Sequence, residues 1–209
     1  MLSEIGLIGL GVMGKNIALN IAEKGTFVKA FNGSQEKIDA ISEEFSGMFS
    51  GFTELEELID NLERPRNILL MIPSGQPTHS VINQLANLLD EGDVIIDGGN
   101  SFYQESENHG NILSSKSIEF IGMGVSGGEE GARHGPAIMI GSANNLSDEL
   151  VELLSAISAK APNDCIGFYK GHGSGHFIKM VHNGIEYAEM QLIAEIYEIL
   201  RRSKKTNEA

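Results

Sequence analysis

Residues Glu4 to Gly14 read EIGLIGLGVMG, and this stretch decides the fold. Its last six residues, Gly9-Leu10-Gly11-Val12-Met13-Gly14, form a G-x-G-x-x-G pattern between an apolar strand-like run and a predicted helix over residues 12–23. In this pattern the first glycine permits a tight turn, the second lets a pyrophosphate approach the backbone, and the third lets helix pack on strand. The helix N-terminus adds N–H donors and partial positive charge. The pattern predicts dinucleotide binding; a purely structural glycine turn is the alternative.

The rest of the chain alternates short apolar runs with helical patterns. After a second strand at residues 26–31, further strands are predicted at residues 67–72, 93–96, 118–125, 137–141 and 165–169, with helices between most of them. From about Gly175 the pattern is one long helix that reaches the region of Arg201. This alternation predicts an α/β fold with a doubly wound parallel sheet of the Rossmann type.

Composition narrows the classes of partner. The 209 residues carry a formal net charge of −14, which offers no basic stripe for nucleic acid. No run of about 18 apolar residues is present, so no membrane span is expected. A signal peptide begins with a basic region, and none precedes the first strand. The single cysteine, Cys165, fits a reducing compartment. We therefore expect a cytoplasmic protein that binds small molecules rather than nucleic acid or a membrane.

The end of the second strand bears on the choice between NAD and NADP. NAD-binding proteins place Asp or Glu there against the ribose, whereas NADP-binding proteins place an arginine near the 2′-phosphate. This chain has Asn32-Gly33-Ser34, which supplies neither. The missing carboxylate removes the main repulsion against a 2′-phosphate, and Ser34 and Lys37 are near enough in sequence to contact one. The sequence favours NADP and leaves NAD open.

Two further glycine-rich turns follow predicted strands. Asp97-Gly98-Gly99-Asn100-Ser101 ends a parallel strand at the edge where α/β sheets bind ligands, so we expect Asn100 to contact a polyol and the nicotinamide amide. The alternative for this segment is a glycine-rich turn with a helix N-cap. Ser126-Gly127-Gly128 is predicted to present a hydroxyl and N–H groups to a carboxylate, followed by a loop over residues 129–136. The histidines lack metal-ligand partners at useful spacing, so no metal is predicted.

The segment KMVHNGIEY, residues 179–187, carries the predicted chemistry. On a helix, its polar side chains share one face over about two turns: Lys179, His182, Asn183, Glu186 and Tyr187. Apolar neighbours place this face in a cleft rather than in bulk water. Burial in a cleft lowers the pKa of an amine and raises that of a carboxyl group, as a general base and a general acid require. The alternative is a solvated helix face.

Together, GLGVMGKNIALNIA, DGGNS, GVSGGEEGA and GHFIKMVHNGIEYAEMQLIAE resemble the 6-phosphogluconate dehydrogenases, which are decarboxylating members of the β-hydroxyacid dehydrogenase superfamily. The resemblance implies oxidation and decarboxylation of 6-phosphogluconate in the pentose phosphate pathway, with Lys179 as base and Glu186 as the acid that protonates C1. It implies a metal-free site whose substrate contacts are Asn100, Ser126, Gly127, Gly128, His182, Asn183 and Tyr187. The implied cofactor contacts are residues 9–14, Asn32, Gly33, Ser34, Met71, Ile72, Pro73 and Asn100.

The resemblance also has departures. The family usually has Asn-Arg-Thr at residues 32–34, so Gly33 stands where an arginine grips the 2′-phosphate, and the segment from Met71 to Gly75 differs from the usual cofactor-side stretch. We expect residues 1–174 to form the dinucleotide-binding domain and residues 175–209 to begin a helical substrate and dimerisation domain. Family members are homodimers, and the rest of that helical domain is expected to be absent here. A non-catalytic dinucleotide-binding fragment and a non-decarboxylating β-hydroxyacid dehydrogenase remain alternatives.

Overall fold

The computed structural model describes residues 1–45 and 47–204. Eight strands form one sheet: β1 Glu4–Ile8, β2 Phe27–Phe31, β3 Phe49–Phe52, β4 Asn67–Leu70, β5 Val94–Asp97, β6 Glu119–Ser126, β7 Ala137–Ser142 and β8 Ile166–Lys170. Their order across the sheet is β3-β2-β1-β4-β5-β6-β7-β8. The predicted α/β fold with a doubly wound sheet is confirmed.

Helices cover both faces of this sheet. They are α1 Val12–Glu23, α2 Gln35–Ser42, α3 Leu55–Asn61, α4 Gln76–Leu88, α5 Tyr103–Ser114, α6 Gly128–His134, α7 Asp148–Ile157 and α8 Ser174–Lys204. Side chains of α1, α2 and α7 share one buried cluster, and those of α3, α4 and α5 share another. Because successive strand residues point to opposite faces, Leu69 enters the first cluster while Ile68 and Leu70 enter the second.

The direction of winding reverses between β1 and β4. From β1 the chain moves outward to β2 and β3, then returns to place β4 on the other side of β1 and continues to β5 and β6. At such a switch point the loops after the two central strands diverge and leave a crevice at the carboxyl edge of the sheet. The glycine turn after β1 and the segment after β4 border this crevice.

The sheet is mostly rather than wholly parallel. Strand β7 pairs with β6 in antiparallel register, with Ser126 opposite Ala137, and β8 is parallel to β7. The expectation of a parallel sheet is therefore wrong for these two strands. The reason is the short connection from Gly127 to Pro136, since a parallel return needs a crossover of a dozen or more residues.

Part of that connection is helical, which corrects the prediction of a loop over residues 129–136. Helix α6 has Glu129 and Glu130 in its first turn and Arg133 and His134 in its last, an arrangement that complements the helix dipole. It packs on α1, where the Asn20 side-chain amide donates to the Ala132 carbonyl at 3.3 Å. Tertiary packing therefore holds a helix too short to be stable alone.

Helix α8 begins on the sheet and then leaves it. Its first turns pack on β6 and β7, whereas most residues beyond Asn183 are exposed. None of the helices in the described part of the chain combines the length and apolarity that a membrane crossing requires.

Candidate functional site

The glycine turn after β1 is shaped by backbone contacts. Gly9 has φ +100°, and a Cβ there would lie 2.5 Å from the Met71 carbonyl oxygen. A Cβ at Gly14 would lie 1.9 Å from the Gly9 carbonyl oxygen, so only glycine lets α1 begin this close to the strand. In contrast, nothing lies within 4 Å of a Cβ at Gly11. The backbone at Gly11 is therefore exposed at the helix N-terminus, as a bound pyrophosphate requires.

The end of β2 adjoins this turn. The Gly9 N–H donates to the Phe31 carbonyl at 3.2 Å, which ties the turn to the start of the Asn32-Gly33-Ser34 segment. The Asn32 side-chain amide donates to the Ser34 carbonyl at 3.4 Å. Gly33 is exposed, and a Cβ there would meet nothing within 4 Å. This segment therefore has room for a ribose and its substituents.

A cavity of about 620 Å³ lies at the carboxyl edge of β1, β4 and β5. It brings together ten residues that the sequence predicted for the site: Gly11, Val12, Met13, Gly14, Met71, Ile72, Pro73, Asn100, Gly128 and Lys179. Leu10 does not line this cavity, because its side chain is buried in the core. The remaining lining residues are Ser74, Gly98, Gly99 and Val125.

A second cavity, of about 430 Å³, adjoins the first. Ser74, Asn100 and Lys179 line both cavities. The second is completed by the residue before α4, by α5 and the two residues before it, and by α8. These residues are Gly75, Ser101, Phe102, Tyr103, Glu105, His176, Met180 and Asn183. The amine of Lys179 is therefore placed where the larger and the smaller cavity meet.

The Lys179 side chain is half-buried, and its amine donates a hydrogen bond to the Val125 carbonyl at the end of β6. Burial lowers the pKa of Lys179, and the carboxylate of Glu186 opposes this shift by favouring the charged amine. A lowered amine pKa increases the fraction of free base near neutral pH. The direction predicted from the sequence for this amine is confirmed.

Glycines let α8 reach the sheet closely enough to position Lys179. A Cβ at Gly124 would lie 2.7 Å from the Lys179 Cβ and 2.9 Å from the Gly175 carbonyl oxygen. A Cβ at Gly175 would lie 2.2 Å from the carbonyl oxygens of Gly122 and Met139. The helix and β6 are thus in direct backbone contact, and this contact fixes the distance of the amine from the strand end.

Buried hydrogen bonds hold the turn that carries Asn100. The fully buried Asp97 carboxylate accepts from the Gly99 N–H at 3.0 Å and from the Ser101 hydroxyl at 2.6 Å. These bonds fix the backbone on both sides of Asn100, whose own side chain is exposed at the two cavities. The arrangement presents an amide to a ligand from a rigid support.

The structure separates the predicted face of α8 into two parts. Lys179 and Asn183 line the second cavity, whereas His182, Glu186 and Tyr187 are exposed and line neither cavity. Glu186 lies 3.7 Å from the His182 imidazole. The burial predicted for this carboxylate is therefore wrong for the described residues, because no other element packs over α8 at that level.

The Ser126-Gly127-Gly128 turn joins β6 to α6. Ser126 ends the strand, and Gly127 and Gly128 have φ of +139° and +61°, values that favour glycine. Of the three, Gly128 lines the first cavity. The described residues contain no group of three or more His, Cys, Asp or Glu side chains placed to hold a metal ion.

Sequence reasoning gave no site role to several residues of the second cavity. His176 is the main omission, since the sequence predicts a site role for no histidine other than His182. Its spacing of three residues from Lys179 was the available signal, because i and i+3 positions share a helix face. Phe102, Tyr103 and Glu105 had no such signal, since the packing of α5 against α8 brings them to the cavity.

Known proteins resemble this chain along nearly its whole length. Residues 4–171 match the family model described as the NAD binding domain of 6-phosphogluconate dehydrogenase, and residues 175–209 match the model of the C-terminal domain of the same enzyme. The decarboxylating 6-phosphogluconate dehydrogenase of Staphylococcus aureus strain N315 is 48% identical over 204 residues, which are 96% of this chain and 44% of that protein. A decarboxylating enzyme of Bacillus subtilis strain 168, named as NAD(+)-dependent, is 47% identical over 205 residues, with 97% and 44% covered.

A solved structure of Plasmodium falciparum 6-phosphogluconate dehydrogenase, described in its apo form and with NADP+ and 6-phosphogluconate, matches with a TM-score of 0.90 and 39% identity. The match covers 97% of this chain and 44% of that one. A Mycobacterium tuberculosis 3-hydroxyisobutyrate dehydrogenase structure, at 17% identity and a TM-score of 0.77, shares the fold. The chain thus spans 44% of the length of the first three of these relatives.

Proposed function

The chain belongs to the 6-phosphogluconate dehydrogenase family, and we propose that it binds NADP and 6-phosphogluconate and carries the catalytic lysine for their reaction. The reaction is the oxidative decarboxylation of 6-phosphogluconate to ribulose 5-phosphate and CO2, a step of the pentose phosphate pathway. One observation carries the proposal: the half-buried Lys179 and Asn100 line both the first cavity and the second cavity beside it. A base at that junction would be within reach of a substrate in the second cavity and of a cofactor in the first.

The residues present fit a dinucleotide in the first cavity. The open backbone at Gly11 and the N-terminus of α1, whose first turn has no acidic residue, suit the pyrophosphate. At the adenosine end, Asn32-Gly33-Ser34 provides space and no carboxylate, which permits either NADP or NAD. NADP is favoured because Ser34 and the exposed Lys37 follow Gly33 closely in the chain and offer a hydroxyl and an amine to a 2′-phosphate. The relatives include one solved with NADP+ and one named as NAD(+)-dependent, so selectivity is the finer part of the proposal.

Lys179 acts first, as the general base. In its neutral form the amine removes the proton of the 3-hydroxyl, and burial supports that role by lowering the pKa of Lys179. A nicotinamide bound in the first cavity would serve as the acceptor for the hydride that leaves C3. The protonated Lys179 then donates to the new 3-keto oxygen and stabilises negative charge there while the carboxylate group leaves as CO2.

Glu186 acts last, as the acid that returns a proton to C1 of the enediol. This role rests on family resemblance, and in the described chain the side chain is exposed beside His182. Its spacing of seven residues from Lys179 keeps it on the same side of α8, and its field already acts on the amine. A substrate that extends from Lys179 along α8 would therefore pass Asn183 and reach Glu186.

The other proposed substrate contacts lie around this path. Asn100 and Asn183 offer amides to the hydroxyl groups, and the turn after β6 offers the Ser126 hydroxyl and the glycine N–H groups to the carboxylate. Further along α8, His182 and Tyr187 are proposed to contact the substrate, with the Tyr187 phenol toward the phosphate. Residues 1–174 are proposed as the cofactor domain and residues 175–209 as the start of the helical domain. The homodimer and the cytoplasmic location remain predictions.

The test is turnover of the 209-residue chain with 6-phosphogluconate and NADP, followed by the absorbance of reduced cofactor and by CO2 release, with Lys179→Ala as control. The proposal predicts both products in the wild type and neither in the variant, although both proteins bind NADP in calorimetry. Cofactor binding without turnover would favour a non-catalytic binding module. Cofactor reduction without CO2 would favour a non-decarboxylating β-hydroxyacid dehydrogenase.

A further inference from the structure

His176 lies at the junction of the elements that form the second cavity. It is one turn before Lys179 on α8, and only 2% of it is exposed. Its Nδ1 lies 2.7 Å from the hydroxyl of Ser106, a fully buried residue of α5. A Cβ added at Gly122 of β6 would lie 3.1 Å from the same nitrogen. The imidazole therefore fills a space bounded by α5, α8 and the sheet.

The other ring nitrogen is not satisfied. Within the described residues, His176 Nε2 is buried and has no hydrogen-bond partner, although the residue lines the second cavity. A buried polar atom without a partner is unfavourable, and native proteins retain few of them. The Ser106 contact fixes the ring plane and leaves Nε2 as the available donor or acceptor.

The surroundings of the ring identify the turn after β5 as its neighbour. Burial lowers the pKa of His176, whereas the Asp97 carboxylate and the backbone carbonyl groups of Asp97, Gly99 and Met123 oppose that shift. Carbonyl groups are acceptors, so they favour a ring that presents an N–H. Asp97 and Gly99 belong to the turn that supports Asn100.

We propose that His176 is a positioning residue that couples Lys179 to Asn100: its Nε2–H donates to a carbonyl of the Asp97–Asn100 turn when 6-phosphogluconate occupies the second cavity. The Ser106 hydroxyl donates to Nδ1 throughout and holds the ring in place, because a neutral ring with its proton on Nε2 has Nδ1 as an acceptor. A bond made with the cavity filled favours the ligand-bound arrangement, in which base and amide both face the substrate. The inference rests on the proposed function for the identity of the ligand.

Two substitutions separate this role from packing alone. His176→Asn keeps a polar group near the position of Nδ1 and removes Nε2, whereas His176→Gln places an amide N–H near the position of Nε2. His134→Asn, on the exposed end of α6, is the matched control. We expect His176→Asn to lower kcat for 6-phosphogluconate about 10- to 100-fold, the cost of a misplaced reacting group. The Kd for NADP should stay within about twofold, and His176→Gln should recover most of the loss.

Wild-type kcat in His176→Asn, or equal losses in the Asn and Gln variants, would overturn the proposal. If a variant fails to fold, the proposal is tested on the wild type instead. The ring ¹⁵N signals of His176 are then followed by NMR. Addition of NADP alone should leave the Nε2 signal in place, and addition of 6-phosphogluconate should move it toward the hydrogen-bonded value.

The NMR measurement also separates the two failures. A chain without turnover contradicts the proposed function, and the coupling role is then judged by the ring signal alone. A shift with 6-phosphogluconate supports the coupling, and an unchanged signal rejects it. Turnover together with an unchanged signal rejects the coupling and leaves the proposed function intact.

Discussion

Gly33→Arg should convert this chain into a more selective NADP binder. Gly33 is exposed at the end of β2, next to the glycine turn, and a Cβ there would meet nothing within 4 Å. Its φ lies outside the left-handed range in which a side chain is strained. The substitution therefore adds a guanidinium beside the adenosine ribose without a steric cost to the fold.

The expected gain follows from the contact and its exposure. A hydrogen bond to a charged group contributes about 1.5–3 kcal/mol, and the planar guanidinium suits a phosphate. Exposed ion pairs are worth less because water and salt screen them, so we expect a net gain of about 1–2 kcal/mol. That is about 5- to 30-fold in the Kd for NADP relative to NAD. The net charge of −14 disfavours the extra phosphate, and the arginine offsets this locally.

Calorimetric titration of both cofactors measures the ratio of their Kd values. Gly33→Gln adds a side chain without charge, and Gly33→Lys adds charge without the planar fork, so the three variants separate bulk, charge and geometry. The reasoning predicts the order Arg, then Lys, then Gln, with the arginine gain shrinking as salt is raised. An unchanged ratio in Gly33→Arg, or an equal ratio in Gly33→Gln, would refute it.

Two further predictions concern the placement of Lys179. Lys179→Met removes an amine whose pKa is lowered in the folded state. Between that lowered pKa and the ordinary value of 10.5, the unfolded wild-type chain binds more protons than the folded one. The free energy of unfolding of the wild type should therefore rise with pH in this window, relative to that of the variant. Thermal denaturation of both proteins across this window checks the sign, and a difference that is flat or falls with pH would contradict it. Gly124→Ala should destabilise by about 1–3 kcal/mol because its Cβ would meet the Lys179 Cβ and the Gly175 carbonyl, measured by denaturant unfolding. Gly184→Ala, with open space around its Cβ, is the matched control and should stabilise α8 by about 0.5–1 kcal/mol; a Gly124→Ala protein as stable as this control would reject the packing argument.

Local patterns were sufficient for the first part of the fold. The glycine fingerprint and the alternation of strands and helices predicted β1, α1, β2 and the winding of the sheet, because these features depend on spacing along the chain. Strand β3 was missed because FSGF is short and has a glycine, and β2 supplies its pairing. The reversed direction of β7 was missed because connection length, rather than strand composition, decides it.

The site shows the same division between local and tertiary information. The sequence predicted that the polar residues of 179–187 share one helix face, and Lys179 and Asn183 of this face do line a cavity, since helical spacing fixes which side chains lie together. It could not tell how far along α8 the neighbouring elements extend, so Glu186 and Tyr187 are exposed in the described chain. The environment of the His176 ring was not predicted, because it is formed by Ser106 and Asp97, which are distant from His176 in sequence and close to it in space.

The position of the proposed base depends on residues that have no side chain. Lys179 reaches the Val125 carbonyl because α8 touches β6 and β7 at backbone distance, and a Cβ at Gly141 would lie only 2.5 Å from the Gly175 nitrogen. The same close contact excludes water from one side of the amine, and that desolvation is the largest influence on its pKa. Larger residues at these positions would hold the helix away from the sheet. The lysine of an identical KMVHNGIEY segment would then keep the ordinary pKa of an exposed amine. The lowered pKa of the lysine therefore depends on the glycines of β6, β7 and α8 as much as on the KMVHNGIEY segment.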